Sequence, residues 1–320
     1  MSAAELDRRG FAAAVLAVGA AAAVPAKAEI VSVTPGASRL RAPIVEDYVP
    51  PRDLKTISDI YKRMTAPVRV NGAGPFPFVV DTGANQSVIA EDLAAQLGLT
   101  VGEDQPLNGV AGIQITHTAR ARLQVGERTI NEAVLSLLPA AAIGGMGMVG
   151  LDQLDGGRLT LDFRRQTMTV ATGRAAPLGA DEVSLRARRR SGQLTLVDAD
   201  LAGIHVTAFL DSGAQDSIGN MALHELAVAR YPTIPWVKTP ILSVTGQTIN
   251  AQLADLPSLR IGGLRLPNWP MAFADLHTFQ MWDLTDRPAI LIGVDILSRF
   301  ETVCLDFAHD EVRLRLPQRG

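Results

Sequence analysis

FPFVVDTGANQSVI at residues 76–89 and TAFLDSGAQDSIG at residues 207–219 are one short text written twice. In each, an apolar run ends in an aspartate, Asp81 or Asp211, followed by a hydroxyl residue, a glycine and an alanine. An apolar strand carries such a carboxylate into the interior, and Gly83 and Gly213 lack the Cβ that would hold other atoms away from a tight turn. Upstream, MTAPVRV (64–70) and NGAGP (71–75) make the first copy read as strand, glycine-containing turn and strand, the second strand being apolar enough to be buried on both faces. GQLTLVDADLAGIHVTAFLDSG (192–213) repeats that script. Downstream, SVIAEDLAAQLGL (87–99) has helical composition ending at Gly98, and MALHELAVARY (221–231) reads as a second short helix. ARLQVG (121–126) and INEAVLSLL (130–138) read as short strands.

Two further matches keep the same order: MVGLDQL at 148 with LIGVDIL at 291, and LTLDF at 159 with VCLDF at 303. The three offsets are 130, 143 and 144 residues, as a duplication with one longer loop in its second copy would leave. A period the size of a small domain excludes short solenoid repeats. The expectation is therefore two related, mainly β lobes at 60–172 and 182–317, joined by a linker at 173–181. A pseudo-twofold axis between them would bring equivalent residues, Asp81 and Asp211 first among them, together.

The 320 residues suit about two domains. A net charge of −3 excludes a nucleic-acid binder that works by broad cationic attraction, and the single Cys304 excludes an internal disulfide framework or a thiolate metal cluster. Residues 1–28 read as an export signal. Arg8 and Arg9 precede Phe11 and an Ala-rich run to Val24, then Ala26 and Ala28 fit an A-x-A cleavage site. The RRxF start resembles a bacterial twin-arginine signal, which implies a periplasmic or secreted protein with no stable membrane span after cleavage. Residues 29–59, holding Pro35, Pro43, Pro50 and Pro51, read as an extended lead-in.

Two carboxylates brought within a few ångströms cannot both ionise cheaply, so such a pair shares one proton. One member can act as general base toward a water while the other donates to a carbonyl oxygen. On DTGA at 81–84, DSGA at 211–214 and an apolar-apolar-glycine element in each half (Val149 with Gly150, Ile292 with Gly293), the chain resembles the retropepsin-like aspartic proteases in a tandem, single-chain form. That resemblance implies two closed-barrel-like lobes of the acid protease fold and an aspartic endopeptidase whose catalytic residues are Asp81 and Asp211. Thr82, Gly83, Ala84, Ser212, Gly213 and Ala214 would support the catalytic loops. It implies no cofactor and no metal, an extended peptide or protein substrate, and a monomer with internal pseudo-symmetry. Catalytically silent peptide binding, or a protease limited to processing itself, are the competing expectations.

The halves are not identical: Asn85 and Gln86 stand where the second copy has Gln215 and Asp216, so the two aspartates are not expected to be electrostatically equivalent. Pepsin-like enzymes place a serine where this chain has Ala84 and Ala214. An alanine offers no hydroxyl to stabilise an ionised aspartate, which implies activity at mildly acidic to neutral pH. The family also closes a hairpin flap over its substrate. LNGVAGIQITHTA (107–119) is placed for that role, with Gly109 and Gly112 as hinges and Val110, Ala111 and Ile113 as contacts, and the stretch around Gly246 is its counterpart. Asp152 and Asp295 match between the repeats and read as helix N-caps or structural acceptors, and Asp162 and Asp306 as strand ends. GMGMVG (145–150) satisfies a dinucleotide-binding pattern, yet no long helix follows it. Arg186, Arg188, Arg189 and Arg190 read as a solvated hairpin.

Overall fold

The computed structural model describes residues 63–317, apart from 127, 155–156, 172–176, 191–192 and 243–247, together with short strands upstream. Those are β1 (Glu29–Ile30), β2 (Arg52–Lys55) and β3 (Ile57–Ser58). Residues 1–28, expected from their pattern to be an export signal, and most of the lead-in lie outside the described residues.

The first half continues as β4 (Met64–Val70), β5 (Ala73–Val80), β6 (Val88–Ala90), α1 (Glu91–Gln96), β7 (Gln105–Gly109), β8 (Gly112–Thr116), β9 (Thr118–Val125) and β10 (Arg128–Leu138). It ends with α2 (Ala140–Ile143), β11 (Gly147–Val149), α3 (Leu151–Leu154), β12 (Arg158–Asp162) and β13 (Thr167–Ala171). In the second half come β14 (Glu182–Arg190), β15 (Gln193–Leu201), β16 (Ile204–Leu210), β17 (Ile218–Gly219), α4 (Met221–Arg230), β18 (Val237–Leu242), β19 (Thr248–Ile261) and β20 (Leu264–Phe273). The last elements are α5 (His277–Met281), β21 (Ala289–Ile292), α6 (Val294–Leu297), β22 (Thr302–Asp306) and β23 (Glu311–Arg315).

Pairing makes the repeat explicit. In the first lobe β4, β5, β11, β6, β10 and β9 neighbour one another in that order, and β9 returns to pair with β4, closing a barrel. In the second, β15, β16, β21, β17, β20 and β19 follow the same order, with β19 returning to β15. The sense of each contact is conserved too. β5 runs parallel to β11 as β16 does to β21, and β6 runs parallel to β10 as β17 does to β20. Closure leaves no open edge in either ring.

Both first hairpins turn on two residues with left-handed backbone, as tight antiparallel connections require. These are Asn71 and Gly72 (φ 51° and 86°) and Ala202 and Gly203 (φ 52° and 79°). Alanine is an uncommon choice there, and its peptide is held on both sides: Ala202 N–H donates to Ser258 C=O (2.7 Å) and the Tyr231 hydroxyl donates to Ala202 C=O (2.9 Å).

A third layer joins the halves. β14, β23, β22, β12, β13 and β2 form one sheet in which β12 of the first half pairs with β22 of the second, Leu159 opposite Leu305 and Leu161 opposite Val303. All four side chains are buried, and the apolar cluster they enter extends into both barrels. Cys304 is buried in this sheet, where burial pushes its thiol up to about 11 and keeps it in its unreactive form at neutral pH.

The structure departs from the sequence reading in three places. Val88–Ala90 is a strand, so the predicted first helix shrinks to Glu91–Gln96, because the three residues after Ser87 are needed to bridge β11 and β10. β5 is buried only in its final third, at Phe78, Val79 and Val80, while its start is exposed. Asp152 and Asp295 are not N-caps. Gly293 caps α6, and each aspartate lies inside the first turn of its helix.

Candidate active site

β5 and β16 end side by side, each delivering its aspartate to the floor of the cleft between the barrels. Asp81 and Asp211 are each 8% exposed. Each carboxylate first serves its own loop: Asp81 Oδ1 accepts from the N–H of Gly83 (2.7 Å) and Ala84 (3.0 Å), and Asp211 Oδ1 from Gly213 (2.9 Å) and Ala214 (3.0 Å). The loops then lock reciprocally. Thr82 N–H donates to Ser212 Oγ (3.1 Å) and Ser212 N–H to Thr82 Oγ1 (3.0 Å). Each hydroxyl in turn donates a hydrogen bond to the strand opposite, Thr82 to Leu210 C=O (2.9 Å) and Ser212 to Val80 C=O (2.7 Å). Four buried bonds with paired donors and acceptors fix the loops against one another.

The glycines permit this approach. A Cβ at Gly83 would stand 2.4 Å from the Asp211 carboxyl carbon, and one at Gly213 2.2 Å from that of Asp81. Behind each loop lies an apolar-apolar-glycine element. Gly150 and Gly293 N–H donate to Ser87 Oγ and Ser217 Oγ (2.9 Å each), and those hydroxyls donate to Asp152 Oδ1 and Asp295 Oδ1 (2.7 Å each). The structural-acceptor reading of Asp152 and Asp295 thus has its geometry in both halves. A Cβ on Gly150 would meet Ala84 C=O at 2.8 Å, and one on Gly293 the Asp216 backbone at 2.7 Å.

Burial raises both dyad carboxyls, and the two differ. For Asp81 burial is opposed by a hydrogen bond from Asp211, by the Gly83 and Ala84 amides and by the positive charge of Arg63. Asp211 is raised well above its ordinary value, first by burial and then by the Asp81 charge and the hydrogen bond to it. Burial and mutual repulsion thus favour a pair that holds one proton between its two carboxyls. Burial also raises Asp216, and it pushes Asp295 up to about 6, with the Asp216 charge adding to it. The charged surroundings of the two aspartates differ, with Arg63 acting on Asp81.

A cavity of about 490 Å³ opens over the dyad. It reaches mainly into the second lobe, where Ile218, Leu253, Ala272 and Leu291 make its apolar wall and Asp216, Asp295 and Arg299 its polar one. Trp269 is both core and wall, with the Arg299 guanidinium 5.4 Å from its ring, whereas Trp282 is core, packed edge-on against Phe209 at 3.9 Å.

β7 and β8 form the anticipated hairpin, with Gly109 opposite Gly112 flanking a turn of Val110 and Ala111. Of the three proposed contacts only Val110 lines the cavity. Ile113 alternates to the outer face and is 58% exposed. Val110 packs on the second-lobe cluster around Phe279, and its C=O accepts from His277 N–H of α5 (2.7 Å). In the second lobe β18 and the start of β19 occupy the matching position, with Thr239, Pro240 and Ile241 on the cavity wall. Gly246 lies outside the described residues.

Sequence reasoning missed Arg63, the Ala141–Gly144 wall and the His277 contact, none of which has a repeated counterpart to draw the eye. It could have found Ser87 and Ser217, which fall six residues after each aspartate in both copies.

Two closed barrels each give one aspartate and one hydroxyl residue to a shared cleft, which defines a bilobal architecture with a paired-aspartate floor. Residues 66–163 and 197–296 each match the family described as aspartyl protease. The chain belongs to that family, in a tandem form that carries the unit twice. No curated protein matches it.

Proposed function

We propose that the protein is an aspartic endopeptidase that hydrolyses peptide bonds with a water held between Asp81 and Asp211. The observation that carries this reading is the buried pair of aspartates whose loops are clamped by the reciprocal Thr82 and Ser212 bonds. Ionised Asp81 takes a proton from the water as its oxygen bonds to the scissile carbonyl carbon, while Asp211 gives its proton to the carbonyl oxygen. On collapse of the tetrahedral intermediate the C–N bond breaks, the amine takes the proton held by Asp81, and Asp211 recovers its own. An extended peptide fits between the dyad floor and the β7–β8 hairpin, adding as a strand to backbone edges and placing alternate side chains in the cavity. Positions 84 and 214 offer the aspartates a backbone amide and no hydroxyl, which supports an optimum at mildly acidic to neutral pH. The amino-terminal signal pattern supports action outside the cytoplasm, in the periplasm or beyond, as a single chain.

The test is hydrolysis of a denatured protein in trans, followed across pH with a transition-state-mimicking aspartic protease inhibitor. Cleavage should disappear in Asp81→Asn and in Asp211→Asn and be blocked by the inhibitor. Cleavage that survives either substitution overturns the reading. Peptide binding without cleavage would make the chain a silent binder, and cuts confined to its own sequence would make it a self-processor.

A further inference from the structure

The two loops are nearly superimposable in their bonding, yet the charged side chains set around them are not. The side chain that departs from the symmetry is Arg63, 5% exposed just ahead of β4. Its Nη2 donates to Ile143 C=O (2.9 Å) and Gly144 C=O (3.5 Å) at the end of α2, which fixes a cation in the cavity wall, and the antiparallel register that pairs Thr65 with Val79 sets Arg63 on the side of Asp81. Arg63 stands eighteen residues before Asp81, and the residue eighteen before Asp211 is Gln193, which carries no charge. The other charged groups on the cavity wall stand on the second-lobe side. Asp216 and Asp295 are acidic, and Arg299 donates its Nε–H to Asp295 C=O (3.3 Å) while lying over Trp269.

Resting on the endopeptidase reading, we infer that Arg63 is the positioning residue that assigns the dyad its roles, keeping Asp81 as the base that takes the water proton and leaving Asp211 as the acid. A buried cation in one wall favours the ionised form of the nearer carboxylate, and once that carboxylate is charged its partner must hold the proton. The duplication supplies two aspartates, and an arginine with no repeated counterpart helps to make them different. Its hydrogen bonds to the α2 carbonyls are structural in themselves, so the test separates charge from scaffolding.

In the full-length chain, site-resolved NMR titration of the aspartate carboxyls should show Asp81 ionising before Asp211. The reverse order overturns the inference without any variant. Arg63→Gln keeps a donor for Ile143 C=O and loses the charge, whereas Arg63→Lys keeps both. In Arg63→Gln the first ionisation of the dyad should move to higher pH. The acid limb of kcat/KM on a fluorogenic peptide should move with it, so that activity at about pH 4 falls several-fold relative to about pH 6, and Arg63→Lys should restore both. A Gln variant that titrates like the wild type, or a Lys variant that titrates like the Gln one, sinks it. If the wild type cleaves no peptide but Asp81 still ionises first and shifts in Arg63→Gln, the charge assignment stands and the hydrolytic reading fails.

Discussion

Each loop glycine faces the opposite carboxylate so closely that no side chain fits at either position, which makes Gly83 and Gly213 as constrained as the aspartates themselves. Gly83→Ala must push Asp211 out of its amide cradle, and the expected outcome is loss of peptide hydrolysis together with destabilisation of about 3 kcal/mol, the upper end for overpacked interiors, read by urea unfolding. Asp295 offers a gentler probe. Because the folded chain holds its proton up to about 6, against 3.8 ordinarily, folding retains a proton that the unfolded chain releases, and stability falls as pH rises across that window. Asp295→Asn keeps the acceptor for Ser217 with no proton to lose. It should flatten the slope and add at most about 3 kcal/mol near neutral pH, measured by unfolding at stepped pH values.

At the scale of elements, the β7–β8 hairpin reaches across the cleft and rests on α5 through one backbone hydrogen bond and the Val110 side chain. A carboxylate in that apolar seat would be unpaired, so Val110→Asp should lift the hairpin. Faster hydrogen exchange over residues 105–116 and a several-fold rise in KM with a smaller change in kcat are the expected signs. The hairpin, the barrel strands and the catalytic loops were legible because strand patterns, glycines and the duplicated DTGA and DSGA strings are local signals. The dyad was legible for the same reason, since repetition announced which distant residues must meet. The short strand at Val88–Ala90 was not, because its state is dictated by two neighbours far along the chain and its composition suits a helix equally well. Arg63 was hidden for a related reason: its burial comes from carbonyls eighty residues away, and nothing beside it in sequence announces them.

The whole molecule is held together by strands that cross between its halves. β12 waits for β22 and β14 for β23, so strands made after both barrels close the layer beneath them. A chain ending at Arg299 would lack β22 and β23, exposing Leu159, Leu161 and Leu185. It should fail to form a cooperatively folded unit and show no hydrolysis, checked by calorimetry and the peptide assay. This architecture also has a meaning in time. Asp81 is synthesised long before its partner, and the layer that sets the two lobes against each other is completed only when residues near 315 have emerged. On the endopeptidase reading, a nascent chain still short of β22 and β23 holds both carboxylates without the layer that sets them face to face, so cutting waits for that layer.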